Sequence, residues 1–98
     1  MRLEVFGKTG CAKCKSAKEK LTHILGKVDM TLSVPLVFLD LDTVEGMAEG
    51  AFNDIIDLPT IILRSDTDEV QGRWNGKAPL STEILKLLGV TKDVGAVE

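Results

Sequence analysis

Among 98 residues there is no tyrosine, a single tryptophan, a single histidine and only two cysteines, and each scarcity closes off a class of function. A closed zinc site needs four ligands, so His23 and one cysteine pair would need a second chain or an outside ligand to complete it. The lysine-rich N-terminal stretch has no interleaved aromatics and the whole chain carries a net charge of -3, which argues against a nucleic-acid surface. The longest apolar runs, residues 34–39 and 58–63, fall far short of the roughly 18–20 residues of a membrane span. The chain enters its first structured segment at once, with no apolar stretch of signal-peptide length behind a basic head, so the cytoplasm is its expected location. Gly7-Lys8-Thr9 does not belong to a phosphate loop, because Arg2 stands where that motif needs its first glycine.

What is present fits one small soluble domain. A hydrophobic fraction of 44% beside 28% charged residues gives neither a disordered-type charge excess nor a compositional bias. A chain of this length buries roughly 60–70% of the surface that it exposes unfolded. The domain is expected over residues 1–89, with 90–98 as a loose tail and no repeat or linker, and the chain is expected to be a monomer. Charge is unevenly spread. Residues 1–27 carry seven Lys/Arg against Glu4 and Glu19, a net of +5, whereas residues 28–98 carry five against thirteen, a net of -8. The N-terminal lysines read either as the solvated face of a helix or as a surface that recruits acidic partners.

The apolar pattern orders the elements. Residues 2–6 alternate and end at Gly7, which predicts a strand followed by a glycine-marked loop to Gly10. From there Cys14, Ala17, Leu21, Ile24, Leu25 and Val28 recur at three- and four-residue steps, the mark of an amphipathic helix that starts at or just after Cys11. Residues 34–41 form a nearly continuous apolar run, expected as a parallel strand buried on both faces. Asp42 or Thr43 can cap a second helix, whose apolar positions Val44, Met47, Ala48, Ala51, Phe52 and Ile55 keep helical spacing despite Gly46 and Gly50. Strands over residues 60–64 and 69–74 flank a polar turn and should form a hairpin. Ser81 or Thr82 can cap a last helix that stops at Gly89. The order βαβαββα predicts an α/β fold, a four-stranded mixed sheet with helices on both faces.

The chemistry sits in Cys11 and Cys14. A bridge three residues long constrains the unfolded chain little, so a structural staple is the weaker reading of the pair. Cys-x-x-Cys beside a βαβ pattern reads as redox-active. The spacing puts both sulfurs on one side of a helix, where the bond can close and open with little backbone movement. A cysteine at a helix N-terminus feels unpaired N–H groups and the positive end of the dipole, which favour thiolate, and Lys8, Lys13 and Lys15 add charge of the same sign. Cys11 is then the attacking sulfur and Cys14 the one that resolves the mixed disulfide. Glu4 alternates with the apolar positions and is expected to face solvent, so no buried acid is expected in the first strand.

Thr9-Gly10-Cys11-Ala12-Lys13-Cys14-Lys15 after a first strand, with Asp57-Leu58-Pro59-Thr60 before a third, resembles the thioredoxin-like superfamily over about residues 1–89, in particular its small redox-active disulfide proteins with a glutaredoxin-like core. The resemblance implies a cis bond between Leu58 and Pro59 facing the cysteines, and a partner strand pairing with the Leu58 backbone. It implies that Gly10 takes part in substrate binding and that Gly72 lets substrate approach closely, the other reading of Gly72 being an ordinary bulge, with Trp74 either rimming the groove or filling the core. It implies protein disulfides as substrates, a thioredoxin-reductase-like flavoenzyme or another thiol as electron donor, and no cofactor beyond the redox-active disulfide itself. Thioredoxins carry Trp before the first cysteine and Gly-Pro between the pair, where this chain has Gly10 and Ala12-Lys13. The Thr-Val-Pro and Gly-Gly segments of glutaredoxins are also absent, which leaves glutathione use open. Two other readings of the pair stand beside this one: a metal or iron–sulfur site shared between two thioredoxin-like subunits, and a redox-sensing interaction domain.

Overall fold

A computed structural model of the chain describes residues 1–89, and the tail expected at 90–98 lies outside the described residues. The elements are β1 (Arg2–Gly7), α1 (Ala12–Lys27), β2 (Leu36–Asp40), α2 (Val44–Phe52), β3 (Thr60–Arg64), β4 (Val70–Asn75) and α3 (Ser81–Leu87). The sheet runs β2-β1-β3-β4, with β1 and β2 parallel and the other two pairs antiparallel. This is the four-stranded mixed sheet that the apolar spacing predicts.

β1 lies between two strands, and both sets of its alternating side chains are buried because both faces of the sheet are covered there. Leu3 and Val5 point to one face, where they meet Leu63 and Ile61 of β3 in register and join Leu21, Ile24 and Leu25 of α1 and Ile84, Leu85 and Leu88 from the α3 end. Each such side chain taken from water stabilises the fold by about 1.5–3 kcal/mol. Glu4 and Phe6 point to the other face. Glu4 is therefore not in solvent as expected: it is 7% exposed, and it accepts from Arg64 Nε at 2.7 Å and from Arg2 Nε at 3.2 Å. The correction has a simple cause: alternation marks a solvent face only when one side of a strand is uncovered, and here both are covered.

Two further expectations change for related reasons. The second strand is shorter than residues 34–41 and is not buried on both faces, because β2 is an edge with one neighbour and Val37 stays 37% exposed. In α2 the buried residues are Gly46 and Gly50, whereas Val44, Met47 and Phe52 are 79%, 53% and 85% exposed. The helix lies so close to the end of β2 that a Cβ on Gly46 would overlap the Asp40 carbonyl oxygen, and one on Gly50 would stand 2.7 Å from Leu41 Cδ2. Only the glycine stripe fits there, and the apolar stripe faces out.

The C-terminal end of α2 is tied down by arginines. Arg64 donates to the Asn53 side chain, and Arg73 donates to the Asn53 and Asp54 carbonyls at 2.7 and 3.1 Å. At the other end Thr43 caps the helix, its Oγ1 accepting from the Gly46 N–H at 3.0 Å and donating to the Asp40 carbonyl at 2.7 Å. Thr43→Ala is expected to lower stability by about 1 kcal/mol, seen as a lower urea midpoint at unchanged slope. α3 begins one residue earlier than expected relative to its cap: Leu80 holds the N-cap position, with its N–H donating to Glu83 Oε1 at 3.1 Å.

Candidate active site

β1 delivers the site from the middle of the sheet. After Gly7 the chain turns through Lys8 to Gly10, which takes φ of 90°, and the Cys11 N–H donates to the Lys8 carbonyl at 3.1 Å. The turn is pinned to the end of β2 twice, by the Leu41 N–H on the Gly7 carbonyl at 2.8 Å and by the Thr9 hydroxyl on Asp40 Oδ2 at 2.7 Å. The Asp42 N–H, the Thr9 hydroxyl and the nearby Lys8 hold the Asp40 carboxyl below its ordinary range. Asp40 therefore remains an anionic anchor for this turn at neutral pH.

Cys11 is the N-cap of α1. Its backbone is extended, and its Sγ accepts from the Cys14 N–H at 3.2 Å. The first turn of the helix contains no acidic residue, so nothing in that turn offsets the positive end of the dipole. Cys11 and Cys14 are joined as a disulfide with Cα atoms 5.3 Å apart. The two sulfurs differ sharply in access. Cys11 is half-buried, whereas Cys14 is 1% exposed. A Cβ on Gly7 would stand 2.8 Å from Cys14 Sγ and 3.2 Å from the Phe38 ring, so the missing side chain at Gly7 makes the space that the inner sulfur fills.

Two open grooves flank the first turn. One, of about 580 Å³, is lined by Lys8, Thr9, Gly10, Cys11, Lys15 and Asp40 among others. The other, of about 360 Å³, runs between α1 and Pro59 and takes in Lys13, Ser16, Lys20, Gly76 and Lys77. The Leu58–Pro59 bond is cis. Lys8 and Gly10 thus line the first groove together with Cys11, Lys13 and Pro59 line the second beside Ala12, and Leu58 adjoins Pro59 in the chain.

Gly72 and Trp74 are placed differently. The space that a Cβ would need at Gly72 is held by the Trp74 ring at 2.6 Å and Leu87 Cδ1 at 2.9 Å, so the close approach there is made by the chain itself. Gly72 also stands beside a register shift in the β3–β4 pairing, where Arg64 pairs with Val70 and Gln71 is passed over. Trp74 packs on the core cluster. The glycine that does reach the groove is Gly76, whose N–H donates to the Pro59 carbonyl at 2.7 Å and whose φ is 80°. Its signal was the Asn75-Gly76 pair directly after a strand, which reads as an ordinary turn until Pro59 is known to lie opposite. His23 is exposed, and among the described residues no three His, Cys, Asp or Glu side chains gather as a metal-binding set. Among the described residues no helix is long and apolar enough to cross a membrane.

No protein-family model and no curated protein sequence matches the chain. Solved structures do. Thioredoxin 1 from Thermosipho africanus superposes with a TM-score of 0.68 at 19% identity, covering 98% of this chain and 99% of its own. A thioredoxin-fold protein from Helicobacter pylori gives 0.70 at 17% identity, over 99% of this chain and 71% of that one. Mitochondrial thioredoxin 3 from Saccharomyces cerevisiae gives 0.63 at 22% identity, over 87% of this chain and 73% of that one. The chain has the thioredoxin fold, with a Cys-x-x-Cys disulfide at the N-terminus of its first helix.

Proposed function

We propose that the chain is a thiol-disulfide oxidoreductase that reduces protein disulfides through a cycle of Cys11 and Cys14, drawing electrons in the cytoplasm from a thioredoxin-reductase-like flavoenzyme or another thiol donor. The observation that carries this reading is the unequal access of two bonded sulfurs at one helix N-terminus: an outer one that a partner can touch and an inner one that it cannot.

The steps follow from that arrangement. In the reduced chain the Cys11 thiolate attacks one sulfur of a partner disulfide; a Cys11–partner bond forms, the partner's S–S bond breaks, and its other sulfur leaves as thiolate and takes a proton. Cys14, deprotonated, then attacks Cys11 Sγ from one turn along the helix. The internal disulfide forms, the partner's second thiolate departs and is protonated, and two electrons have passed to the partner. Lys8 and Lys13 favour the thiolate of Cys11 through their charge, while Leu58 and Pro59, with Gly10, line the approach. Val5 is fully buried in the apolar core, and Glu4, on the other face of β1, is committed to Arg64.

The test is differential alkylation of the freshly reduced protein at neutral pH, alongside reduction of insulin. Cys11 should react with iodoacetamide at least about tenfold faster than Cys14, because both thiolate character and access favour it. Slow and equal labelling of the two sulfurs refutes the proposal, as does stoichiometric metal or cluster absorbance in the protein as purified.

A further inference from the structure

The two grooves beside the cysteines are lined by six lysines, Lys8, Lys13, Lys15, Lys18, Lys20 and Lys77, and by a single carboxylate, Asp40. That carboxylate is already engaged by the Thr9 hydroxyl and the Asp42 N–H. Among the described residues the ion pairs join the chain's amino terminus and arginines to Asp66, Asp68 and Glu4, and none involves a lysine. Two of the six have partners of another kind: Lys20 donates to the Pro79 carbonyl at 2.9 Å, and Lys18 Nζ lies 5.2 Å from the centre of the Phe38 ring. Lys8, Lys13, Lys15 and Lys77 are exposed, and of these four only Lys8 lies near the Asp40 carboxylate. A solvated helix face would leave lysines on α1 alone, yet Lys8 comes from the loop after β1 and Lys77 from the loop after β4. Both are brought to the same opening in a chain that is acidic as a whole.

From this placement we infer that the substrate is a protein disulfide held in an acidic segment, with Asp or Glu on both sides of the attacked cysteine. The inference rests on the oxidoreductase reading and names its substrate class. Cys11 lines one groove, and Ala12, next to it, lines both. A partner segment crossing in extended form therefore lays its sulfur at Cys11 and its flanks in the two grooves. In such a segment side chains two residues to either side of the cysteine share its face, about 7 Å away. Carboxylates at those positions meet Lys13 and Lys77 on one side and Lys8 and Lys15 on the other. Exposed pairs of this kind act mainly on encounter rate and orientation and are screened by salt, so they select partners more than they bind them.

The test uses the pre-reduced full chain and synthetic peptides with one cysteine, protected as a mixed disulfide with 2-mercaptoethanol, and with Glu, Gln or Lys at the second position on each side. Release of the peptide thiol is followed in single turnovers, with hydroxyethyl disulfide as an uncharged reference. The Glu peptide should be reduced about tenfold or more faster than the Lys peptide at low ionic strength, the ratio shrinking to about twofold or less in 0.5 M salt. Lys77→Glu should cut the Glu-to-Lys ratio about threefold, a readout that any change in thiol reactivity leaves untouched because it affects every peptide alike. Equal rates for the three peptides, or a ratio indifferent to salt, overturn the inference while reduction of the reference keeps the oxidoreductase reading intact. Failure to reduce even the reference overturns both. Glutathione disulfide reduced faster than the Glu peptide assigns the grooves to a small anionic thiol and overturns the protein-segment reading.

Discussion

Cys11→Ser is expected to lower protein-disulfide reduction by a factor on the order of a thousand or more, since a hydroxyl at neutral pH does not replace a thiolate as attacking group. Cys14→Ser gives a different defect. Its Cys11 still attacks, but no second sulfur displaces the partner, so the mixed disulfide accumulates and is seen as a covalent adduct by mass spectrometry under non-reducing conditions. The asymmetry between the variants follows from burial. Cys14, at 1% exposure behind Gly7 and Phe38, cannot meet a partner's disulfide in the folded chain, so Cys11→Ser should form no adduct at all. Adducts in both variants, or in the Cys11→Ser protein alone, would show that the structure has the roles of the two sulfurs reversed or shared.

Much of this arrangement was legible in the sequence because it is local. The position of Cys11 at the start of a helix follows from Gly7, Gly10 and the three- and four-residue apolar steps after Cys14, and the order of elements along the chain follows from the same kind of periodicity, whereas the place of β1 between β2 and β3 does not. What could not be read was whatever depends on which faces are covered. Glu4 looks the same in a one-sided and a two-sided strand; only the presence of α2 on its face, with Arg64 reaching in from β3, decides that it is buried. Gly76 joins the site through one hydrogen bond to Pro59, a residue seventeen positions earlier, and no local pattern marks such a pairing. Gly72, by contrast, carries the glycine in a strand that suggests a close approach, and the approaching group proves to be the chain's own Trp74.

The same limit on local reading gives a prediction in which two identical substitutions have opposite signs. By helix propensity alone, Gly→Ala inside a helix stabilises by about 1 kcal/mol. Gly26 in α1 has nothing within 4 Å of where a Cβ would go, so Gly26→Ala should raise stability by about 0.5–1 kcal/mol. Gly46 in α2 meets the Asp40 carbonyl oxygen, a backbone atom that cannot rotate aside as a side chain does. To admit a methyl group the helix must lift from β2, which also pulls Gly46 N–H from Thr43 Oγ1 and Gly50 from Leu41. Overpacking of this kind costs about 1–3 kcal/mol and the lost cap about 1 more, against the propensity gain of about 1, so Gly46→Ala should lose about 2 kcal/mol net. In a domain of this size that is a fall in Tm of roughly 10 °C, while Gly26→Ala should move Tm upward by a few degrees. Thermal unfolding of the two variants side by side reads both signs at once. A Gly46→Ala protein as stable as its parent would mean that α2 does not lie on β2 by its glycine stripe, and that the exposed Val44, Met47 and Phe52 belong on the inside after all.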